Sequence, residues 1–334
     1  MANSMLLNSH SILSALKQTA GELLAGSDSS FLVLDLDDLS QLRSSDLSDL
    51  VQWISRQFCP VIGLGSPQSI LANSVDVVVE SASELQCISR RILANPQAAT
   101  VLVQVLRTIE HLPALEGLVV ESLGYATLQS GAEHIRWLAQ HQQKSSSIPN
   151  EGSGPPILVE RENNRLTLVL NRPENDNAYS VEMRNALVEM FTLVNLDESI
   201  ELVNITANGR CFSTGGDLSE FGKVSTPTLG HLIRSEVFPA RLMLANPERF
   251  HVHVHKACIG SGLEIPACAG RLTAAPKTLF WLPELSMGLI PGAGGCVSIS
   301  KRIGRQRTAY MVLMNKKIDA QTALDWGLID AIEV

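Results

Sequence analysis

The chain has 334 residues, of which 45% are hydrophobic and 18% are charged. This composition is typical of a globular protein with a full hydrophobic core, and the length suits two domains or one large domain with an extension. The net charge of −8 argues against nucleic acid as the main partner. No apolar run reaches the ~18 residues that a membrane span needs, and residues 1–13 lack the basic region of a secretion signal. We therefore expect neither a nucleic-acid nor a membrane partner.

The six cysteines are scattered along the chain and form no Cys-x-x-Cys pair. Paired cysteines at regular spacing are typical of secreted disulfide frameworks, whereas isolated thiols suit a reducing compartment. We therefore predict a cytoplasmic protein whose thiols are ordinary core residues.

The first 95 residues alternate short apolar runs with amphipathic segments. Their spacing predicts helices over residues 12–24 and 47–54, and buried strands over residues 31–36, 59–65 and 75–80. Because alternating strands and helices favour parallel pairing, residues 1–95 are interpreted as an N-terminal α/β region.

Residues 96–143 are almost entirely helical in pattern. One apolar stripe contains Val101, Val105, Leu106 and Ile109, and a second one after Pro113 contains Leu115, Leu118, Val119, Ser122 and Leu123. This pattern predicts a helical hairpin packed on a neighbouring element. Residues 144–156 are rich in Ser, Gly and Pro and form the clearest linker in the chain.

The remainder of the chain returns to alternating strands and helices. The pattern predicts strands over residues 166–170, 201–205 and 251–255, and helices from Ser180 and over residues 228–245, 305–314 and 320–326. His251, His253 and His255 alternate along one predicted strand face. Carboxylate or cysteine partners at metal-ligand spacing are missing around these histidines, so no metal site is predicted.

Two glutamates, Glu264 and Glu284, lie within the apolar, glycine-rich stretch from Cys258 to Gly295. A carboxylate in such surroundings is unfavourable unless it is paired, hydrogen-bonded or held neutral. Purely structural roles are possible for both residues. Glu264 could be a carboxylate that stabilises a helix N-terminus, and Glu284 could be a loop acid in a salt bridge. The chemical alternative is an acid–base pair whose pKa values are pushed apart.

Four motifs, in this order, resemble the enoyl-CoA hydratase/isomerase (crotonase) family. They are Asn171-Arg172-Pro173 with Asn177-Ala178, Phe212 to Leu218, Gly260 to Glu264, and Pro283-Glu284 with Gly288 to Gly295. The resemblance covers about residues 156–334. It implies an α/β fold of the ClpP/crotonase kind, a spiral of β-β-α units, with residues 157–334 as the catalytic domain.

The resemblance also implies roles for individual residues. The backbone N–H groups of Thr214 and Ser261 would form an oxyanion hole, and Glu264 and Glu284 would bracket a water as base and acid. Residues implied in substrate or CoA binding are Asn177, Ala178, Tyr179, Phe212, Gly215 and Gly260. Independently of the family, Ser261 lies at a Gly-rich turn that opens a helix, where unpaired N–H groups and the helix dipole favour negative charge. Which glutamate starts protonated is left open.

The function implied by the resemblance is hydration of a 2-enoyl-CoA thioester, or the reverse dehydration, through a stabilised enolate. The alternatives are an enoyl-CoA isomerase or another crotonase-family acyl-CoA enzyme, and a non-catalytic acyl-CoA-binding protein. No cofactor is implied beyond the CoA of the substrate. The family further implies a homo-oligomer, a trimer or hexamer, that acts in fatty acid metabolism.

In the family, helices beyond the position of Gly327–Asp330 cover the active site and support trimerisation. Since this chain ends at Val334, we expect the helical residues 96–143 to stand in for them, folded back by the linker. Residues 1–95 would then be a degenerate crotonase-like or flavodoxin-like unit.

Overall fold

A computed structural model of the chain describes residues 6–9, 11–12, 30–142, 154–236 and 238–333. Residues 13–24 of the helix predicted over residues 12–24 and most of the predicted linker lie outside these residues.

Strands and helices alternate through most of the described chain. The strands are β1 (Leu6–Leu7), β2 (Leu32–Asp35), β3 (Val61–Leu64), β4 (Val77–Val79), β5 (Ile157–Glu162), β6 (Arg165–Leu170), β7 (Leu202–Ala207), β8 (Phe250–Val254), β9 (Ala257–Ile259), β10 (Arg271–Ala274), β11 (Leu279–Trp281), β12 (Ile318–Asp319) and β13 (Ala331–Ile332). The helices are α1 (Leu36–Leu39), α2 (Ser44–Ser55), α3 (Ala82–Ala94), α4 (Pro96–Ile109), α5 (Ala114–Gln129), α6 (Ala132–Gln142), α7 (Val181–Leu196), α8 (Pro227–Glu236), α9 (Pro239–Met243), α10 (Ser261–Glu264), α11 (Gly295–Ile303), α12 (Arg305–Leu313) and α13 (Ala320–Trp326).

Strands β1 to β4 form a four-stranded sheet in chain order, and all three of its pairings are parallel. The parallel α/β pairing predicted for the N-terminal region is confirmed. Helix α2 covers this sheet with Leu50 and Ile54 of its apolar residues, while Val51 is exposed and Trp53 is buried instead.

The second half of the chain winds between two sheets. A six-stranded sheet has the order β13-β10-β8-β7-β6-β5, and a three-stranded sheet has the order β12-β11-β9. From β8 to β11, consecutive strands join the two sheets alternately. This alternation is the β-β-α spiral that the motifs implied. Strand β5 was not predicted, because only Ile157 of its six residues is buried and apolar periodicity is absent.

The helical segment α4–α6 differs from the predicted hairpin, because it has three helices rather than two. The second predicted stripe is also wrong, since Leu115, Val119 and Leu123 are exposed. Helix α5 is apolar around most of its circumference, so periodicity could not select its buried face. That face instead carries Glu121 and Ser122.

The predicted helix over residues 228–245 is divided into α8 and α9. Pro239 begins α9, and proline disfavours a helical conformation in the residue before it.

The helical segment connects the two halves of the molecule. Helix α5 packs against α8 and α11, and α6 packs against the 3₁₀ turn Glu284–Met287. Near the N-terminal sheet, buried Asp76 forms ion pairs with Arg107 of α4 and Arg305 of α12. Breaking such a buried pair typically costs ~3–5 kcal/mol, so this cluster holds the N-terminal sheet to the rest of the protein.

None of the helices in the described residues is both long enough and apolar enough to cross a bilayer.

Candidate active site

A cavity of about 500 Å³ lies between α5, α8, the loop after β7 and the segment that connects β9 to α11. Glu264 and Glu284 both line it, as do Gly216 and Ser261. The two predicted catalytic carboxylates are therefore brought together, although 20 residues separate them in sequence.

Two neighbouring residues that line this cavity, Gly216 and Ser261, have backbone N–H groups that are not used within the described fold. The loop after β7 pairs with β9 through a bridge between Ser213 and Cys258, which brings Gly216 close to Ser261. A Cβ placed on Gly216 would lie 4.0 Å from Ser261 Oγ. Within the described residues, neither the Gly216 N–H nor the Ser261 N–H has an acceptor. Preorganised donors of this kind stabilise oxygen on which negative charge develops.

The prediction that Thr214 supplies one of these donors is contradicted. The Thr214 N–H donates to the carbonyl oxygen of Asp176 at 3.1 Å, so it is already used within the fold. Gly216, two residues later, takes the position assigned to Thr214. The sequence signal could not separate the two, because both belong to the same small-residue motif and differ only in which carbonyl the fold brings near.

Gly260 makes the turn between β9 and α10. Its φ of +50° is unfavourable for residues with a side chain, and a Cβ there would lie 2.8 Å from Glu284 Oε1. The glycine therefore permits both the entry into α10 and the close approach of the Glu284 carboxyl group.

Glu264 ends α10 and is 2% exposed. Its Oε2 accepts hydrogen bonds from the N–H groups of Ala293 at 2.7 Å and Gly295 at 2.9 Å. Burial raises the pKa of Glu264 to about 7, and these N–H donors oppose the rise because they favour the ionised form. Glu264 thus contacts the N-terminus of α11. The structural role considered above, in which Glu264 stabilises the N-terminus of its own helix, is not observed in the described chain.

Glu284 follows β11 and begins the 3₁₀ turn Glu284–Met287. Its Oε2 is buried and has no hydrogen-bond partner in the part of the chain that the structure describes. Burial raises the pKa of Glu284 well above its ordinary value, and the negative charge of Glu264 raises it further. The alternative of a salt-bridged loop acid finds no support, since the described ion pairs do not include Glu284. Both effects favour the protonated form of Glu284.

A third carboxylate, Glu121, was missed by sequence reasoning. It projects from α5, is 2% exposed, and accepts hydrogen bonds from Gly294 N at 2.6 Å and Val297 N at 3.3 Å. Burial and the charge of Glu264 raise the pKa of Glu121 well above its ordinary value. The sequence feature that could have identified Glu121 is its position directly after the apolar residues 118–120 of α5.

The helical segment also contacts the site through Tyr125 and His134. The Tyr125 ring lines the cavity and packs so closely on Gly292 that a Cβ there would lie 2.1 Å from Tyr125 Cδ2. His134 Nδ1 lies 2.9 Å from the carbonyl oxygen of Met287, in the turn that carries Glu284. Burial lowers the pKa of His134, so the neutral ring is favoured.

The residues predicted to bind substrate or CoA divide into two groups. Tyr179, Gly215 and Gly260 line the cavity. Asn177, Ala178 and Phe212 are buried and do not line it, and their role in substrate or CoA binding remains a prediction.

Asn177 and Phe212 have structural contacts away from the cavity. The Asn177 side chain is fully buried, accepts from Arg172 N at 2.8 Å and donates to Asn208 O at 2.7 Å, so it shapes the loop. Phe212 is fully buried in the hydrophobic core. The sequence motif therefore includes loop-forming residues as well as cavity residues.

His253 on β8 and His255 just after it contact separate partners. His253 Nδ1 lies 2.9 Å from Thr273 Oγ1, and His255 Nε2 lies 3.2 Å from the carbonyl oxygen of Gly209. Across the described residues, no group of three His, Cys, Asp or Glu side chains could hold a metal ion.

A sequence profile of the enoyl-CoA hydratase/isomerase family matches residues 160–333, which is more than half of the chain. The chain belongs to the enoyl-CoA hydratase/isomerase family. The family and the crotonase fold expected from the motifs are thereby confirmed, and the protein is an enzyme of this type.

Among relatives of this enoyl-CoA hydratase/isomerase, 2,3-dehydroadipyl-CoA hydratase of Escherichia coli K12 is 31% identical over 176 residues, covering 53% of this chain and 68% of the relative. The trans-2-decenoyl-[acyl-carrier-protein] isomerase of Streptococcus mutans is 28% identical, covering 52% and 67%. The crystal structure of enoyl-CoA hydratase from Thermoplasma volcanium GSS1 is 29% identical, has a TM-score of 0.49, and covers 54% of this chain and 72% of that one. Both hydratases and isomerases thus occur among these relatives.

Proposed function

We propose that the protein adds water across the double bond of a 2-enoyl-CoA thioester. The observation that carries this proposal is the unequal hydrogen bonding of two buried carboxyl groups beside two N–H donors. Glu264 accepts two N–H bonds, which favour its ionised form, whereas Glu284 Oε2 has no partner among the described residues. One base and one acid are therefore available in the same cavity near neutral pH.

In the proposed reaction, Glu264 takes a proton from a water molecule as the water oxygen forms a bond to C3 of the substrate. The electron pair of the C2–C3 double bond moves toward the thioester, whose oxygen becomes an enolate oxygen. The N–H groups of Gly216 and Ser261 stabilise that oxygen. Glu284 then gives its proton to C2, and the proton held by Glu264 restores Glu284. The net change is the addition of one water.

The absorbance of crotonyl-CoA tests this proposal directly. The wild-type protein is expected to remove the enoyl signal, and Glu264→Gln and Glu284→Gln are each expected to slow the reaction by about 10²–10⁴-fold, which is typical for loss of general acid–base catalysis. No loss of the signal with wild type over a range of chain lengths contradicts hydration. Double-bond isomerisation that survives one glutamine substitution but not the other would favour the isomerase alternative.

The pH dependence supplies a second test of the same proposal. Since the base must be ionised, kcat/KM should rise with pH through the Glu264 pKa, which is about 7. In Glu264→Gln that acidic limb should disappear along with most of the activity. A limb that persists unchanged in Glu264→Gln assigns the base to another group.

We further propose that α4–α6 cover the active site of this chain, the role that C-terminal helices have in the family. The contacts of Glu121, Tyr125 and His134 with the site support this assignment. The assembly proposed for the enzyme is a homotrimer or homohexamer, and the exposed apolar side chains of Leu115 and Leu123 on α5 offer a surface for it. Light scattering on the purified chain tests the assembly, and a monomer at micromolar concentration contradicts it.

The compartment and pathway remain part of this proposal. All six cysteines are free thiols, and this supports a reducing cytoplasmic setting. The expected role in fatty acid metabolism is tested by the chain-length preference of the hydration reaction.

A further inference from the structure

Arg234 of α8 lines the cavity but forms no ion pair with any residue that the structure describes. Its Nε donates to Ser122 Oγ at 3.1 Å, and its Nη2 donates to Gln129 Oε1 at 3.3 Å. A guanidinium carries five N–H donors, so these two contacts leave most of its capacity unused. In particular, Nη1 has no acceptor within the described residues.

The Tyr125 ring is a common neighbour of Arg234 and of the turn beside Glu264. The guanidinium carbon lies 4.5 Å from the centroid of the Tyr125 ring. The same ring packs on Gly292, which precedes the Ala293 N–H that donates to Glu264. The Tyr125 ring therefore contacts both Arg234 and the turn whose N–H groups bind Glu264, and Arg234 lines the same cavity as the two glutamates.

Arg234 has a single acidic neighbour on α5. The attraction of Glu121 opposes the effect of burial on the pKa of Arg234, but the Glu121 oxygens accept hydrogen bonds from Gly294 and Val297 and form no ion pair with Arg234 in the described residues. On α8, His231 Nδ1 lies 2.9 Å from Ser122 Oγ and belongs to the same polar cluster. Burial lowers the pKa of Arg234, although arginine remains protonated under all ordinary conditions. A partly buried cation without a counter-ion is unfavourable unless a ligand supplies the anion.

We propose that Arg234 binds an anionic group at the far end of the acyl chain, and that the substrates are 2-enoyl-CoA thioesters with a terminal carboxylate. This inference rests on the proposed function, because it takes the acyl chain to extend from the glutamates toward α5 and α8. A carboxylate matches the planar donor fork of a guanidinium, and the Tyr125 ring provides an apolar wall for the intervening carbon atoms. The competing role for Arg234 is structural, as a bridge that fastens α8 to Ser122 and Gln129 of α5.

Paired substrates of equal chain length distinguish these two roles. Hex-2-enedioyl-CoA and hex-2-enoyl-CoA differ only in the terminal carboxylate, and the two neighbouring even-numbered chain lengths extend the comparison. The wild-type enzyme is expected to prefer the carboxylate substrate. Arg234→Gln is expected to lower kcat/KM for that substrate by about 10–100-fold, which is typical for loss of a charge-assisted hydrogen bond, and to leave the neutral substrate nearly unchanged. Arg234→Lys should retain part of the preference.

Arg184 provides the matched control, since it is a second cavity-lining cation and its guanidinium contacts Asn185 instead. Arg184→Gln should leave the ratio between the two substrates unchanged. The proposal would be overturned if Arg234→Gln lowered kcat/KM equally for both substrates. It would also be overturned if the wild type showed no preference for the carboxylate substrate at any chain length.

Binding of the saturated analogues, hexanedioyl-CoA and hexanoyl-CoA, separates this inference from the proposed function because it requires no turnover. Tighter binding of the diacid that disappears in Arg234→Gln supports the inference even if no hydration is found. Hydration without any preference for the diacid leaves the proposed function intact and rejects the inference.

Discussion

Glu121 and Glu264 divide the backbone N–H groups at the start of α11 between them. Glu264 accepts from Ala293 and Gly295, whereas Glu121 accepts from Gly294 and Val297. The two carboxyl groups thus bind the same turn, one from the family domain and the other from the N-terminal helical segment. The turn that positions Glu264 therefore depends on a residue more than a hundred positions earlier in the chain.

The first prediction concerns Glu121. Glu121→Ala leaves the Gly294 N–H buried without its acceptor, and we expect a loss of about 1–3 kcal/mol in the free energy of unfolding together with reduced kcat, since the Glu264 turn loses its support. Glu121→Gln keeps one acceptor oxygen, so its losses in free energy of unfolding and in kcat should be smaller. Urea denaturation and crotonyl-CoA kinetics measure these effects, and equal damage by the two substitutions contradicts the acceptor role.

The second prediction concerns stability as a function of pH. The pKa of Glu264 is raised from 4.5 to about 7 in the folded protein, so the stabilising effect of its protonated form is complete below pH 4.5 and is lost as pH rises to about 7. The loss amounts to about 3 kcal/mol for this single group. Glu264→Gln cannot ionise, and its stability relative to wild type should therefore increase between pH 5 and pH 8.

The exposed residue Glu160 on β5 is the control for this measurement. The free energy of unfolding of Glu160→Gln should differ from that of wild type by the same small amount at pH 5 and at pH 8. If the stability difference between Glu264→Gln and wild type is also independent of pH, then Glu264 does not have a raised pKa.

The third prediction concerns the turn at Gly260. A methyl group there would approach Glu284 Oε1 to 2.8 Å, and displacement of a reacting group by ~1 Å can lower the rate about a hundredfold. We expect Gly260→Ala to lower kcat by that order. Gly304 has a similar positive φ of +82° with nothing within 4 Å, so Gly304→Ala isolates the backbone strain. It should reduce stability without reducing kcat, and equal kcat in the two variants would argue against steric displacement of Glu284.

The fourth prediction concerns the helical segment. Deletion of residues 1–143 removes Glu121 and Tyr125 and exposes the α11 face that they cover. The remaining chain should be insoluble or inactive, and co-expression of residues 1–143 as a separate chain should restore soluble protein. A fragment that is soluble and assembles as the full chain does would show that the segment is dispensable.

Much of the fold and of the site could be predicted from sequence, because those features have local signatures. Apolar alternation marked β8, and a helix-period stripe marked α4. The glycine-rich apolar stretch around Glu264 and Glu284 marked these two acids as unusual, because an isolated carboxylate is unfavourable in such surroundings. Strand β5 lacked such a signature, since an exposed edge strand has no apolar period.

The sequence by itself determined the family, the spiral fold and the pair of catalytic candidates, since each depends on residue types at characteristic spacings. Only the tertiary structure decided that Gly216 rather than Thr214 offers a free N–H, because the distinction lies in whether the Asp176 carbonyl is near enough to accept. It also decided which face α5 buries. A helix that is apolar on all sides has no preferred face of its own, and the partners of Glu121 at Gly294 and Val297 exist only once distant parts of the chain are packed together.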